Sequence, residues 1–347
     1  MHKTNLKEIA KKLGFSVATV SKALNGYSDV SEKTKKLVLD LAEELNYTPN
    51  SFAVNLRTNE SKTIGVIIPT MVHYFFSNII DSILKECEER GYMVIIMQSN
   101  ENYELEKKQV NLLLSKGVDG ILISLSNKTR DTSHLKKIKN SGIPLILFDK
   151  IDKTIQCSKI INDDRKAAYE AVTHLIKNGN KRIAHFRGAL NPQNSIDRFL
   201  GYKKALTDHN IEYDPSLVYE CKNNNRDDFV EGAEIAKQLM EDHKNNIDAI
   251  FTVNDLISIG TLNYFNKNNI KVPDEIELFG FSNWFMTNVT TPSISSVEQN
   301  ANKIGKKAAE ILFRELEQKA KEEEITYETH IIETELIFRD STTNQIK

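Results

Sequence analysis

The sequence predicts an N-terminal all-α helix-turn-helix headpiece with a short hinge helix, followed by an α/β sensor region of two parallel-sheet lobes. Two observations carry this prediction. Apolar residues recur with a helical period in the first sixty positions, and after Thr63 the pattern changes to short β-branched runs separated by helical stretches. With 347 residues, the chain is long enough for two or three domains.

Composition excludes several classes of protein. The chain is 40% apolar and 27% charged, as in an ordinary globular protein. Its three cysteines, Cys87, Cys157 and Cys221, are odd in number and form no CxxC pair, so we expect neither a disulfide framework nor a metal site. No signal-like core opens the chain and no apolar run could span a bilayer, which predicts a cytoplasmic protein without a membrane partner. No cofactor is expected.

The first helix is predicted from an apolar stripe at helical spacing, formed by Leu6, Ile9, Ala10 and Leu13. Thr4 or Asn5 can cap its start, and Gly14 can end it. Ser16 then caps a second helix that runs to about Leu24. Helix, short glycine-containing turn and helix form the helix-turn-helix unit.

The second helix is predicted to present Val17, Ala18, Ser21 and Lys22 away from the core, at the positions that enter a DNA major groove. Residues 1–24 contain five lysines and one glutamate, which suits a phosphate backbone. A third helix begins after Ser31, with Leu37, Leu41 and Leu45 on one face. The alternative at this point is a three-helix bundle that binds a protein.

A break at Tyr47–Asn50 precedes a short helix over residues 50–57. About two helical turns are marginally stable alone in water, so this hinge helix needs a partner surface to form.

The α/β region contains seven buried-strand candidates separated by helical stretches. These are Ile64–Ile68, Met93–Met97, Gly120–Ser124, Leu145–Phe148, Ile183–Phe186, Ala249–Thr252 and Ile276–Gly280. Thr329–Phe338 is predicted as one final strand. Because ligands of parallel sheets bind beyond the carboxyl ends of the strands, we expect the effector-binding residues to lie there.

Eight aromatic and polar side chains follow predicted strands or begin the helices behind them, and they suit a polyol ring. They are Phe75, Phe76, Asp149, Arg198, Asn254, Asp255, Ser282 and Trp284. Each also has a purely structural interpretation. Asp149 could cap a loop, Arg198 could pair with Asp197 or Asp164 on the surface, the two phenylalanines could be core, and Asn254-Asp255 could cap a helix.

Beyond these patterns, the run Leu6–Gly26 closely resembles the headpiece of the LacI/GalR family of bacterial repressors. So do Val30–Thr34, Leu45–Asn50 and Ala53–Arg57. Within the α/β region, Asp163-Asp164, His174–Ile176 and Gly179 are similar to the family's core, which resembles periplasmic sugar-binding proteins. There, Asp149, Arg198 and Asn254 match effector-contacting positions.

The resemblance implies a homodimeric regulator, most simply a repressor, that binds an inverted-repeat operator in double-stranded DNA and a small-molecule effector of carbohydrate type. In the family, the hinge helix folds on DNA and its leucine, here Leu56, wedges into the minor groove. The implied DNA-binding residues are Thr4, Ser16, Val17, Ala18, Thr19, Ser21, Lys22, Asn25, Asn50, Ala53 and Leu56.

Two departures from the family pattern affect specificity. Lys22 stands where the family usually has Arg, which changes a rigid planar donor into a flexible one. Ser282 stands where Asp is frequent, so a neutral hydroxyl replaces a charged acceptor of ligand hydroxyls.

Two rival classes are less compatible with the sequence. A free-standing sugar-binding protein of a transporter would need an export signal and no headpiece. An α/β enzyme would be expected to carry one of the phosphate-loop, dinucleotide, zinc-protease or serine-elbow motifs, and none is found.

The predicted domains are a headpiece at 1–48, a hinge helix and linker at 49–60, and a two-lobed effector-binding and dimerisation domain at 61–347. Lobe 1 is expected over about 61–161 and 293–325, and lobe 2 over about 162–292 and 326–340.

Overall fold

The computed structural model describes residues 5–45, 47, 60–71, 74–221, 228–244 and 246–343. The chain divides into two compact units between Ser61 and Lys62.

The first unit contains three helices: α1 (Leu6–Leu13), α2 (Val17–Leu24) and α3 (Glu32–Glu44). Side chains cap all three, because Asn5, Ser16 and Ser31 each accept a hydrogen bond from a backbone amide in the first turn. Gly14 ends α1 with φ 68°, a conformation that a side chain disfavours.

One expectation for this unit is wrong. Leu37 was expected on the packed face of α3, but it is exposed, whereas Val38 and Ala42 are buried. Their spacing of four residues places both on the side of α3 that faces α1 and α2. Leu41 and Leu45 pack at the edge of this small core.

The second unit begins with a six-stranded parallel sheet in the order β11-β5-β4-β3-β1-β2. Its strands are β1 (Thr63–Ile68), β2 (Met93–Gln98), β3 (Gly120–Ile123), β4 (Leu145–Phe148), β5 (Ser158–Asn162) and β11 (Thr329–Ile332). The helices of this lobe are α4 (Tyr74–Glu89), α5 (Tyr103–Lys116), α6 (Ser133–Asn140) and α11 (Ala301–Ala320). Separate apolar cores cover the two faces of the sheet, as buried parallel strands require.

The second lobe has a sheet in the order β12-β10-β9-β8-β6-β7, with β12 antiparallel to β10. Its strands are β6 (Ile183–Arg187), β7 (Val218–Glu220), β8 (Ala249–Thr252), β9 (Glu277–Phe281), β10 (Ser295–Glu298) and β12 (Glu335–Ile337). Its helices are α7 (Asp164–Lys177), α8 (Gln193–Asp208), α9 (Asp228–His243) and α10 (Asp255–Lys267), with 3₁₀ turns at Pro215–Leu217 and Phe285–Asn288.

The chain passes between the lobes three times, after β5, after β10 and after β11. Amide side chains join these crossings. Asn162 Nδ2 donates to the carbonyls of Gln299 (3.0 Å) and Ile332 (2.9 Å), and Asn300 Nδ2 donates to that of Glu333 (2.9 Å). The three crossings therefore form one hydrogen-bonded hinge.

The lobe assignments of the C-terminal segments differ from the expected boundaries. Ser295–Glu298, expected in lobe 1, pairs within the second sheet. Thr329–Phe338 is two strands instead of one, and Thr329–Ile332 pairs with β5 in the first sheet. The two strands separate at Glu333-Thr334 because the chain crosses the hinge there.

Candidate effector cleft and DNA-binding face

A cleft lies between the carboxyl ends of the two sheets and encloses about 1020 Å³ of empty space, open solvent included. The eight side chains predicted from the strand ends all contribute to its walls: Phe75, Phe76, Asp149, Arg198, Asn254, Asp255, Ser282 and Trp284. This is the position at which parallel α/β sheets bind ligands.

Asp149 lies at the end of β4 with φ 57°. Its carboxylate accepts hydrogen bonds from Ser124 Oγ (3.3 Å) and, across the cleft, from Asn194 Nδ2 (3.1 Å). These bonds run to other elements, so the side chain joins the walls of the cleft. Burial raises the pKa of Asp149, and the charges of Lys150 and Arg198 oppose that rise.

Arg198, on α8, is only 6% exposed. Its Nε donates to Asp164 Oδ1 (2.8 Å) and its Nη1 donates to the carbonyl of Val253 (2.7 Å). The guanidinium also lies 3.7 Å from the centre of the Phe281 ring. Pairing with Asp164 was one of the structural alternatives, but the pair is buried and not at the surface. Burial raises the pKa of Asp164 to about 6, against the effect of the Arg198 charge.

Asn254 has two tasks. Its Oδ1 accepts the Ile257 amide (2.9 Å) and so caps α10, while its Nδ2 donates to Asp228 Oδ2 (3.0 Å). The helix-capping alternative is therefore correct for Asn254, and it is compatible with the residue's place in the cleft wall.

Asp255 organises the wall. One carboxylate oxygen accepts the Trp284 amide (2.6 Å) and the other accepts Ser296 Oγ (2.6 Å). Burial raises the pKa of this carboxyl to about 6. Since each of its oxygens already accepts a hydrogen bond from this loop or from β10, Asp255 positions the loop after β9.

The loop after β9 supplies Ser282 and Trp284. Ser282 has φ 110°, and its hydroxyl donates to Gln299 Oε1 (2.8 Å) at the hinge. The Trp284 ring meets that of Phe285 edge-on, with 5.9 Å between ring centres. The cleft wall is thereby connected to the hinge through one side-chain hydrogen bond.

Phe75 and Phe76 begin α4 and are both core and cleft residues. They are 8% and 4% exposed, belong to the core of lobe 1, and also line the cleft. The structural and functional interpretations are therefore not exclusive for these two rings.

Sequence reasoning missed several lining residues, namely Tyr74, Glu101, Asn127, Lys150, Pro192, Asn194, Ser195, Asp228, Val253, Leu256 and Gln299. Glu101 follows β2 and Lys150 follows β4 at the sheet's carboxyl edge, so the rule used for Asp149 could have found both. The same rule could not have found Asn194 and Gln299, because they do not follow an apolar strand and reach the cleft from α8 and from the hinge.

On the headpiece, α2 presents Val17, 41% exposed, and Ala18 to solvent. Ser21 is half-buried, and Lys22 is exposed and paired with Asp29.

Among the other proposed DNA-binding residues, Ser16 and Thr19 share a hydroxyl hydrogen bond (2.8 Å), and Asn25 Nδ2 donates to the Ser21 carbonyl (2.6 Å). Thr4, Asn50, Ala53 and Leu56, and with them the predicted hinge helix, lie outside the described residues.

In the described part of the chain, no group of three or more His, Cys, Asp or Glu side chains is arranged to hold a metal ion. None of the helices described there combines the length and the apolar character that crossing a membrane requires.

Two family models match the chain. One, "Periplasmic binding proteins and sugar binding domain of LacI family", matches residues 61–337, and the other, "Bacterial regulatory proteins, lacI family", matches residues 5–50. Catabolite control protein A of Priestia megaterium is 32% identical over 336 residues, 96% of this chain and 98% of that protein. The HTH-type transcriptional repressor PurR of Vibrio atlanticus is 29% identical over 329 residues, 94% of this chain and 95% of that protein.

Solved structures agree on the fold. The lac repressor dimer bound to operator and the anti-inducer ONPF matches with a TM-score of 0.84 at 23% identity, over 99% of this chain and 100% of that one. CcpA of Lactococcus lactis matches with a TM-score of 0.72 at 28% identity, over 81% of this chain and 99% of that one.

A capped helix-turn-helix unit joined to two α/β lobes around a cleft defines a ligand-responsive DNA-binding regulator, not an enzyme. The chain belongs to the LacI family of bacterial regulatory proteins.

Proposed function

We propose that this regulator is a cytoplasmic homodimer that represses transcription by binding an inverted-repeat operator. Two copies of α2 enter successive major grooves, with Val17 and Ala18 against apolar base edges and Lys22 as a hydrogen-bond donor to guanine. Relatives named as repressors support this assignment. The exposure of α2's N-terminal end supports the orientation.

The effector is a carbohydrate bound in the cleft. Aromatic rings, carboxylates and amides converge there, a combination that suits a polyhydroxylated ring. Two structurally similar regulators are described in complex with cellobiose and with D-xylulofuranose, at 22% and 23% identity to this chain. The convergence of the eight strand-end residues in one cleft carries the assignment.

Control of DNA binding follows from the position of the cleft between two lobes. An effector that contacts both walls favours one angle between the lobes, and the hinge helix and linker at residues 49–60 transmit that preference to the headpiece. Folding of so short a helix depends on what holds its ends. In the bound state, Leu56 wedges into the minor groove at the centre of the operator, one turn after Ala53.

The test begins with selection of a high-affinity duplex from a random library by the purified protein. Operator affinity is then measured by fluorescence anisotropy with and without each member of a sugar panel. We expect an inverted repeat and at least one sugar that shifts operator affinity. Arg198→Ala should abolish that shift and keep sugar-free operator affinity, because Arg198 belongs to the cleft and not to the headpiece. Selection of a sequence without two-fold symmetry, or a sugar response that survives Arg198→Ala, would contradict the proposal.

A further inference from the structure

The cationic side chains of the cleft are already neutralised within the protein. Among the described residues that line the cleft, these are Lys150 and Arg198. Lys150 Nζ lies 2.5 Å from Glu101 Oε1, and Arg198 Nε lies 2.8 Å from Asp164 Oδ1. Both ion pairs are largely buried, with side chains between 8% and 15% exposed, so solvent screens them little.

Further carboxylates surround these pairs. Asp149 lies close enough to Lys150 and Arg198 for both charges to oppose the burial-driven rise of its pKa. Asp228 and Asp255 also line the cleft, and both are almost fully buried. The described walls therefore carry more acidic than basic side chains, and neither cation faces the cleft without an acidic neighbour.

Glu101 is fixed in place on both of its carboxylate oxygens. It is 6% exposed in the loop between β2 and α5, where it has φ 53°. While Oε1 holds Lys150, Oε2 accepts the backbone amide of Asn127 from the loop after β3. Because two elements of lobe 1 hold this carboxylate, it cannot swing away from Lys150 without losing the bond to Asn127.

We propose that Glu101 is a specificity-determining residue of the cleft, which by holding Lys150 makes the site select uncharged sugars and reject their phosphorylated forms. This inference rests on the proposed function, in which the cleft binds a carbohydrate effector. The phosphate group of a sugar phosphate would have to break the Lys150–Glu101 pair or lie beside the cleft carboxylates. Its negative charge would then be repelled by theirs, which is strongly unfavourable. Neutral hydroxyl groups meet no such penalty, because they donate to the same carboxylates.

The experiment compares wild type with Glu101→Gln and a matched control, Glu104→Gln. The amide introduced by Glu101→Gln keeps an acceptor for the Asn127 backbone but releases the Lys150 charge. Glu104 is three residues away and 67% exposed, so its variant removes the same charge outside the cleft. Affinities for D-glucose, D-glucose 6-phosphate, D-ribose, D-ribose 5-phosphate and inorganic phosphate are measured by calorimetry and by thermal stabilisation.

Wild type and Glu104→Gln should bind a neutral sugar on the order of 100-fold more tightly than its phosphate. Glu101→Gln should narrow that ratio by about tenfold or more. Adding Lys150→Gln to Glu101→Gln should restore the preference for the neutral sugar, because the released cation is then absent. Glu101→Asp, which shortens the carboxylate by one methylene, should give an intermediate ratio and provides the test if Glu101→Gln does not fold.

An unchanged ratio in the Glu101 variants overturns the inference and leaves the proposed function standing. If wild type prefers a sugar phosphate to the neutral sugar, the inference is likewise overturned and the proposed function stands. This holds also if the double variant Lys222→Gln and Arg226→Gln, which removes two cations outside the described residues, abolishes that preference. If no member of either class binds wild type or any variant, the proposed carbohydrate site is itself contradicted, and with it the role of Glu101.

Discussion

Lys22 is held by a neighbouring acid in the headpiece without DNA. Its ammonium pairs with Asp29, which raises the pKa of Lys22 and lowers that of Asp29. Both side chains are about half exposed, so the pair is easily exchanged for a DNA contact. Asp29 therefore competes with the base edge or phosphate that Lys22 would contact.

Removing that competitor should strengthen DNA binding. Asp29→Asn is expected to raise affinity for operator and for random DNA severalfold, since the Lys22 charge no longer has an internal partner. Lys22→Ala should lower operator affinity roughly tenfold or more and random-DNA affinity much less, because only the base contact carries sequence information. Lys36→Ala on the exposed side of α3 is the control. Fluorescence anisotropy titrations measure the affinity of each variant for both duplexes. If Lys22→Ala lowers the affinity for operator and for random DNA equally, Lys22 does not contact a base.

Glu315 is a buried carboxyl on α11 that accepts a hydrogen bond from Ser158 Oγ (2.5 Å). Burial raises its pKa to about 7 from the ordinary value of 4.5. Between these values, the folded protein keeps a proton that the unfolded chain has lost. The free energy of unfolding should therefore fall as pH rises from 4.5 to 7, by no more than about 3 kcal/mol from this group.

Glu315→Gln removes the titration and keeps an acceptor for Ser158. We expect the variant to be more stable than wild type at pH 8, with a difference that disappears at pH 4.5. Urea unfolding at a series of pH values measures this directly. The exposed Glu317→Gln serves as the control, and a difference between Glu315→Gln and wild type that does not vary with pH would refute the explanation.

Among the elements, strands with continuous β-branched sequences were predictable and polar strands were not. All seven strands predicted from apolar runs are present, whereas β5, β7 and β10 were missed. Ser295-Ser296-Val297-Glu298 has no apolar run, and its serines are buried because they bond to residues distant in sequence, such as Ser341 and Asp255. No local pattern records such partners.

The same distinction applies to the cleft. Side chains directly after strong strands were predictable, because the carboxyl edge of a parallel sheet gathers them. The partners that decide their chemistry were predictable only in part. Asp164 was one of two acids considered for Arg198, but at the surface, whereas the pair is buried. Asn194 was not predicted as the partner of Asp149, because lobe packing brings these residues together from 45 positions apart.

Two helices of lobe 1, α4 and α11, pack against each other at a glycine. At Gly305, an added Cβ would lie 2.2 Å from the carbonyl oxygen of Ile79, so α4 and α11 approach each other with no room for a side chain. Gly305→Ala should lower the free energy of unfolding by about 1–3 kcal/mol, because the helices must separate. Denaturant unfolding measures the loss, with Lys306→Ala at the neighbouring exposed position as control. Wild-type stability in Gly305→Ala would show that this packing is not tight.

For the whole molecule, the cleft and the hinge form one hydrogen-bonded system. Asp149 and Asn194 join the two walls, and Ser282 joins the cleft to Gln299, which itself donates to Asn162 Oδ1 (3.2 Å) at another crossing. A ligand that displaces Asn194 from Asp149, or engages Ser282, changes contacts that depend on the angle between the lobes. This gives the effector a differential interaction with two lobe arrangements, which any population shift requires.

Coupling between the cleft and the operator can be measured from both sides. Trp284 is the only tryptophan in the chain and lines the cleft, so its fluorescence should change when a sugar binds there. If the sugar changes operator affinity by some factor, saturating operator must change sugar affinity by the same factor, typically about 5–150-fold. Asn194→Ala should reduce both factors together, because it removes the bond between the walls while leaving α2 intact. Tryptophan titrations with and without operator give one factor, and anisotropy titrations with and without sugar give the other. Asn194→Ala that lowers sugar affinity but leaves both factors at the wild-type value would mean that the Asn194–Asp149 contact serves binding alone, and that the lobes are coupled to DNA through other contacts.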